Sequence, residues 1–222
     1  MKQASKRRSR TLGTLVMLLA LTCVPVMAQG GREFEVTITN LTAGQILSPP
    51  IVYSHRGGFK LFKPGEEALP ELAGVAEDAD SEPLLALLSA ESRVHDVTIA
   101  DGVVLPGAST KVTIRTRGNS DVISALGMLV TTNDAFFATG RRPGNGRVYA
   151  LAPAWDAGSE ANTQECEHIP GPPCGNGGVR VTDGAEGYVY IHAGIQDRGS
   201  LDPQVHDWRN PVARISIRPL DR

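Results

Sequence analysis

The residues best suited to chemistry in this chain are the carboxylates of Asp156-Ala157-Gly158-Ser159-Glu160 and of Thr132-Asn133-Asp134 upstream. Each segment follows a strand-like apolar run and delivers acids into a loop. Asp134, Asp156 and Glu160 therefore offer hard oxygen donors from two loops. That donor set suits Ca²⁺, which takes roughly six to eight oxygen ligands. Gly158, between Asp156 and Glu160, lets the chain fold back so that both acids face one point. Acidic surface loops are common, so solvated charge is the competing reading of the spacing alone.

Other reactive types are less well placed. His55 and His192 fall at predicted strand edges, where catalysis would need a nucleophile and an orienting acid nearby. The chain has no Gly-x-Ser-x-Gly elbow. Both histidines therefore read as structural hydrogen-bonding groups, and no catalytic residue is assigned. His206 falls in a loop after Pro203 and reads as solvated. Trp155 and Trp208 read as closing the ends of a core, with stacking on carbohydrate or contact with lipid as the alternative. Asp78, Asp80 and Glu82 read as a solvated first turn favoured by a helix dipole. Arg141-Arg142, taken to lie beside the acidic loops, reads as surface charge, with contact to a phosphate or sulfate as the alternative. Asn40-Leu41-Thr42 fits a glycosylation acceptor at the end of a predicted strand.

These groups must be positioned by a scaffold, and the first segment is set apart from it. Lys2, Lys6, Arg7, Arg8 and Arg10 precede an apolar run from Leu12 to Val26, and Val26-Met27-Ala28 fits a signal peptidase site. The run, about 15 residues, falls short of the ~20 that a membrane span needs. Residues 1–28 are thus expected to be a signal peptide and the protein to be exported, with no transmembrane span after cleavage. Cleavage would leave 222 − 28 = 194 residues, enough for one domain with a substantial core. The remainder carries 22 − 5 = 17 basic against 24 acidic residues, a net charge of about −7. Nucleic acid is an improbable partner for such a surface. Cys23 would leave with the leader. Cys166 and Cys174 then form an even pair, which in an exported chain reads as a disulfide closing a short Pro- and Gly-rich loop.

The rest reads as strands separated by Gly and Pro turns. Phe34–Thr39 alternates apolar and polar residues, and Ile51–His55, Val94–Ile99 and Thr110–Arg115 are rich in β-branched types. Leu126–Val130 is continuously apolar, as in a central strand buried on both faces. Val148–Leu151, Tyr188–His192 and Val212–Ile217 complete the set. Between Pro64 and Ser92 the spacing becomes helical, with Leu69, Leu72, Ala73 and Ala76 on one face and Pro83 opening a second run. The pattern predicts a mainly β chain, an antiparallel β-sandwich with two short inserted helices.

Ordered along Phe34 to Pro219, these motifs resemble the spondin N-terminal domain family, the module of F-spondin and mindin also found in exported bacterial proteins. The resemblance rests on Phe34–Thr42, Leu47-Ser48-Pro49-Pro50, His55, Leu61-Phe62-Lys63-Pro64-Gly65 and Ala76-Glu77-Asp78. It continues through Met128–Phe136, Ala154–Glu160 and Asp207–Arg214. It implies a spondin-like domain over 29–222, a sandwich related to calcium-dependent membrane-binding modules. It also implies one calcium ion held by Asp134, Asp156 and Glu160. Glu160 stands where the animal members carry Asp, which keeps the charge on a longer arm.

The expected function is that of an exported calcium-binding β-sandwich acting in binding or adhesion. Its ligand would be an extracellular or envelope protein, glycan or lipid surface. The alternative is a metal-assisted hydrolase using the same carboxylates. That would require a general base and a substrate cleft that the sequence does not display.

Overall fold

The computed structural model describes residues 31–220. The expected leader, its cleavage site at Ala28, and Cys23 lie outside the described residues. Ten strands run as β1 (Arg32–Asn40), β2 (Ile51–His55), β3 (Val94–Ile99), β4 (Ser109–Thr116), β5 (Val122–Met128), β6 (Ala135–Arg141), β7 (Val148–Ala152), β8 (Ala154–Asp156), β9 (Tyr190–Ile191) and β10 (Ala213–Pro219). Three short helices accompany them: α1 (Pro70–Asp78), α2 (Glu82–Ala90) and α3 (Pro203–His206).

The strands form two antiparallel sheets, one ordered β4-β1-β10-β7 and the other β3-β2-β5-β6-β8-β9. The expected β-sandwich is therefore present, and the helical reading of residues 64–92 corresponds to α1 and α2. In β1 the alternation works as the sequence predicts. Phe34, Val36 and Ile38 point inward and are buried, while the residues between them are more exposed. They meet Ile215 and Ile217 of β10, Ile114 of β4, and Val52, Ile123 and Phe137 from the facing sheet. Full burial of a side chain of this size stabilises the fold by roughly 1.5–3 kcal/mol.

The six-stranded sheet is covered on its outer face as well. Ile51, Tyr53, Leu126 and Phe136 pack there against Leu72, Val75, Ala76, Leu84 and Leu88 of the two helices. Neighbours Phe136 and Phe137 thus point to opposite faces, and both are fully buried. This explains why β5 and the first residues of β6 carry apolar side chains on both faces at the centre of the sheet.

Several expectations change. The apolar run at Leu126–Val130 leaves its strand at Met128, and residues 129–134 form a turn leading into β6. Asp134 therefore stands just before a strand instead of ending one. His206 closes the four-residue α3 and is part-buried, so it is neither in a loop nor fully solvated. Asn40 is buried, its amide nitrogen donating to Gln45 O at 2.7 Å and Val104 O at 2.9 Å. Glycosylation there would cost both bonds and the packing, so the acceptor motif is a corner staple. Cys166 and Cys174 are bonded as a disulfide, with Cα atoms 4.9 Å apart. No helix among the described residues is long and apolar enough to cross a membrane.

Candidate functional site

The turn before β6 and the loop after β8 are brought together by strand pairing. Ala135 is registered with Asp156, and the amide of Ala157 donates to Asp134 O at 3.1 Å. The loop then closes over the Asp134 side chain. Asp134 Oδ2 accepts from Ser159 N at 2.8 Å, from Ser159 Oγ at 3.3 Å and from Glu160 N at 3.0 Å. Asp134 Oδ1 is buried and accepts nothing. Such an orphan is costly in a protein interior unless a proton or a cation completes it.

Asp156 is equally buried. Its Oδ1 accepts from Gly158 N at 2.8 Å, which folds the loop back as the glycine suggested. Its Oδ2 accepts from Asn162 Nδ2 at 2.7 Å. Asn162 also donates to Tyr190 Oη at 3.0 Å, and its own oxygen faces His192 Nε2 at 3.0 Å. Gly194 N donates to His192 Nδ1, so the ring proton sits on Nε2, aimed at Asn162 and 3.7 Å from Asp156 Oδ2. Burial holds the His192 pKa down at about 4, so the imidazole is neutral and contributes no charge to the cluster.

Glu160 differs from the two aspartates. Its backbone serves Asp134, but its buried carboxylate is engaged elsewhere, Oε1 accepting from Val181 N at 2.9 Å. That amide belongs to a loop tied to α1. Arg180 makes a two-pronged pair with Glu77, at 2.6 and 2.7 Å, and Gly178 N donates to Asp78 Oδ1 at 2.8 Å. Asp78 is exposed but ends α1 and anchors this loop, so it does not belong to a first turn, whereas Glu82 stands in the first turn of α2 as expected.

The electrostatics follow from burial. The Asp134 carboxyl is pushed well above the usual carboxylate range, first by burial and next by the charge of Asp156. Asp156 is also raised, by burial above all, despite its hydrogen bonds to Asn162 and Gly158. Burial pushes Glu160 up to about 7, with Glu77 adding to the rise and Arg180 opposing it. Beside Asp156, burial and the aspartate charge raise the Tyr190 phenol as well.

The structure thus brings Asp134 and Asp156 together and joins Glu160 to them through its backbone. Among the described residues no group of three or more His, Cys, Asp or Glu side chains already stands as a metal cage. Asp134 and Asp156 nevertheless fit a hard cation, being buried, acidic and short of positive partners. The Asn162–His192–Tyr190 support was not apparent in the sequence, except that His192 was read as a hydrogen-bonding group.

The two other sequence candidates separate. Trp208 is buried in the inter-sheet core, as expected. Trp155 instead lies on the outer face, packed against Phe62 at 5.3 Å between ring centroids. Arg141 and Arg142 do not stand beside the acidic loops. Asp134 precedes β6 and Arg141 ends it, so about 20 Å of strand separates them.

No protein-family model matches this chain, and no curated protein matches it.

Proposed function

We propose that the protein is an exported β-sandwich of the spondin type whose loops 129–134 and 156–160 are pinned by one calcium ion. The observation that carries this reading is Asp134 Oδ1, a buried carboxylate oxygen without a partner beside a second buried carboxylate. A divalent cation would supply the charge that neutral His192 does not. Asp134 and Asp156 would hold it directly. Glu160 would join by leaving the amide of Val181, an exchange its longer arm allows.

Asp134, Asp156 and Glu160 are at most 2% exposed, which favours a cation that organises loops over one that meets a partner. Binding or adhesion would then fall to the surface those loops shape. The export reading is supported by the basic-then-apolar leader and by the Cys166–Cys174 bridge, which persists in oxidising compartments. Support for the spondin assignment is the ordered motif set, together with a sandwich in which Asp134 and the Asp156–Glu160 loop meet.

Calcium titration by calorimetry, with melting curves in calcium and in chelator, tests the proposal. One ion should bind, and Tm should rise with calcium by mass action. Asp156→Asn should abolish both effects, whereas Glu160→Gln should weaken binding about tenfold or less because that carboxylate has an alternative partner. Undiminished calcium binding by Asp156→Asn would remove the site. Calcium-dependent turnover of ester or phosphoester substrates would replace the binding role with a catalytic one.

A further inference from the structure

We propose that the outer face of the six-stranded sheet carries a second site, a groove that takes a small aromatic carboxylate. The helices α1 and α2 cover only part of this face. Over the remainder, between the segment after β2 and the ends of β5 and β6, lies a groove of about 640 Å³. That volume falls within the range of small-molecule sites, roughly 300–1,000 Å³.

Its walls are aromatic. Tyr53 and Phe59 meet edge to face at 6.1 Å, and Phe62 meets Trp155 in the same way at 5.3 Å. Phe62 and Trp155 are only half-buried, so part of each ring is available to an added flat group. The floor is polar and neutral. His55 Nδ1 lies 2.9 Å from Arg56 O, an atom that can only accept, so the ring proton is there. His55 Nε2 therefore accepts from Ser124 Oγ at 2.8 Å.

The rim selects the charge of the occupant. Lys60, Lys63, Arg141 and Arg142 all border the groove, and among the described residues no Asp or Glu lines it. Lys63 and Arg142 pair with Glu66 and Asp121 in exposed contacts at 3.0 and 3.4 Å, which contribute little. Among the described residues no carboxylate pairs with Lys60 or Arg141 within 4 Å. Gly57 makes room for the rim: a Cβ there would sit 2.6 Å from Arg142 Nη2. A concentration of positive charge on a chain with an acidic excess favours an anion, and the aromatic walls favour a flat apolar body. The site is independent of calcium. Trp155 and Asp156 are neighbours on β8 with side chains on opposite faces.

The test is calorimetric titration of the purified protein with 2-naphthoate, its neutral isostere 2-naphthamide, and inorganic phosphate. One saturable site for 2-naphthoate is expected, with the amide binding at least tenfold weaker and phosphate failing to compete. Lys60→Glu with Arg141→Glu, both at exposed positions, should weaken 2-naphthoate at least tenfold at unchanged Tm. Ala138→Trp, which fills the groove from β6, should abolish binding. Asp156→Asn should leave binding intact, which separates this site from the calcium proposal. Three results would overturn it: no saturation at millimolar ligand, equal affinity for acid and amide, or binding unchanged in the charge-reversed variant. Uptake of a heparin oligosaccharide that 2-naphthoate cannot displace would likewise assign the rim to polyanions.

Discussion

The backbone amide of Glu160 donates to Asp134 Oδ2 at 3.0 Å, so the third acid of the site is tied to the first through its main chain. One oxygen of Asp134 thereby belongs to the loop, and the other is buried and accepts no hydrogen bond. Asp134→Asn separates the two roles. The side-chain oxygen of Asn can keep the loop amides, while its NH₂ can donate toward Asp156. In chelator this variant should melt as high as the parent or a few degrees higher, because a buried charge beside Asp156 is gone. Calcium should no longer raise its Tm. A Tm fall of ten degrees in chelator would mean that a protein group already compensates the charge of Asp134.

Stability of the calcium-free protein should depend on pH with contributions of opposite sign, Asp134, Asp156 and Glu160 favouring low pH and His192 opposing them. Glu160 has its folded pKa raised from 4.5 to about 7, so the folded state holds the proton more tightly. The stability this provides is full below pH 4.5 and is lost as pH rises through 7. His192 has its folded pKa lowered from 6.5 to about 4. Its contribution is present above pH 6.5 and is lost as pH falls toward 4. The two slopes oppose each other between about pH 4.5 and 6.5. Denaturant melts of Glu160→Gln should therefore show a shallower loss of stability with rising pH than the parent between about pH 4.5 and 7, the slope from Asp134 and Asp156 remaining, and calcium should suppress the decline of the parent. A parent-like profile in Glu160→Gln would remove Glu160 as a titrating group.

Much of the scaffold was legible because its signals are local. In β1 one inward face alternates over nine residues, Leu72, Ala73 and Ala76 recur at helical spacing in α1, and Pro83 marks the first turn of α2. The loop from Asp156 to Glu160 was legible through its acids and Gly158. β6 was not, since a strand buried on both faces lacks alternation and Gly140-Arg141 imitates a turn. β8 has three residues, too few for any period. The supports of the site are nonlocal: Asn162 reaches His192 30 residues on, and Glu77 reaches Arg180 over 103. The displacement of Arg141-Arg142 from the acidic loops follows from the same cause. Without β6, nothing indicated that a whole strand lies between them.

Gly158 should be the least replaceable residue of the loop. Its φ is +66°, and a Cβ there would lie 2.3 Å from Tyr188 O and 2.7 Å from Tyr188 N. Gly158 O also accepts from Gly187 N at 2.8 Å, so the two backbones are held together. Gly158→Ala must move one of them, at a cost on the order of 3 kcal/mol from left-handed strain and overpacking together. Because Asp156 Oδ1 bonds the Gly158 amide, calcium affinity should fall with stability. Urea melts and calcium titration on the one variant check both, and a loss under 1 kcal/mol would show that the 187–188 segment yields freely.

The Cys166–Cys174 bridge should stabilise the protein without setting its calcium affinity. It closes a loop with a sequence separation of eight, for which chain entropy predicts about 2–3 kcal/mol. The bridged segment is secured at other points as well. Thr131 Oγ1 donates to Pro172 O at 2.7 Å, and a Cβ on Gly171 would lie 2.1 Å from Val130 O. These contacts join the segment to the turn that carries Asp134, yet no carboxylate of the site bonds a residue between the cysteines. Replacing both cysteines with Ser should lower the urea midpoint by the equivalent of 2–3 kcal/mol while changing the calcium dissociation constant less than threefold. A tenfold loss of calcium affinity would show instead that the bridge, acting through Pro172 and Thr131, fixes the position of Asp134.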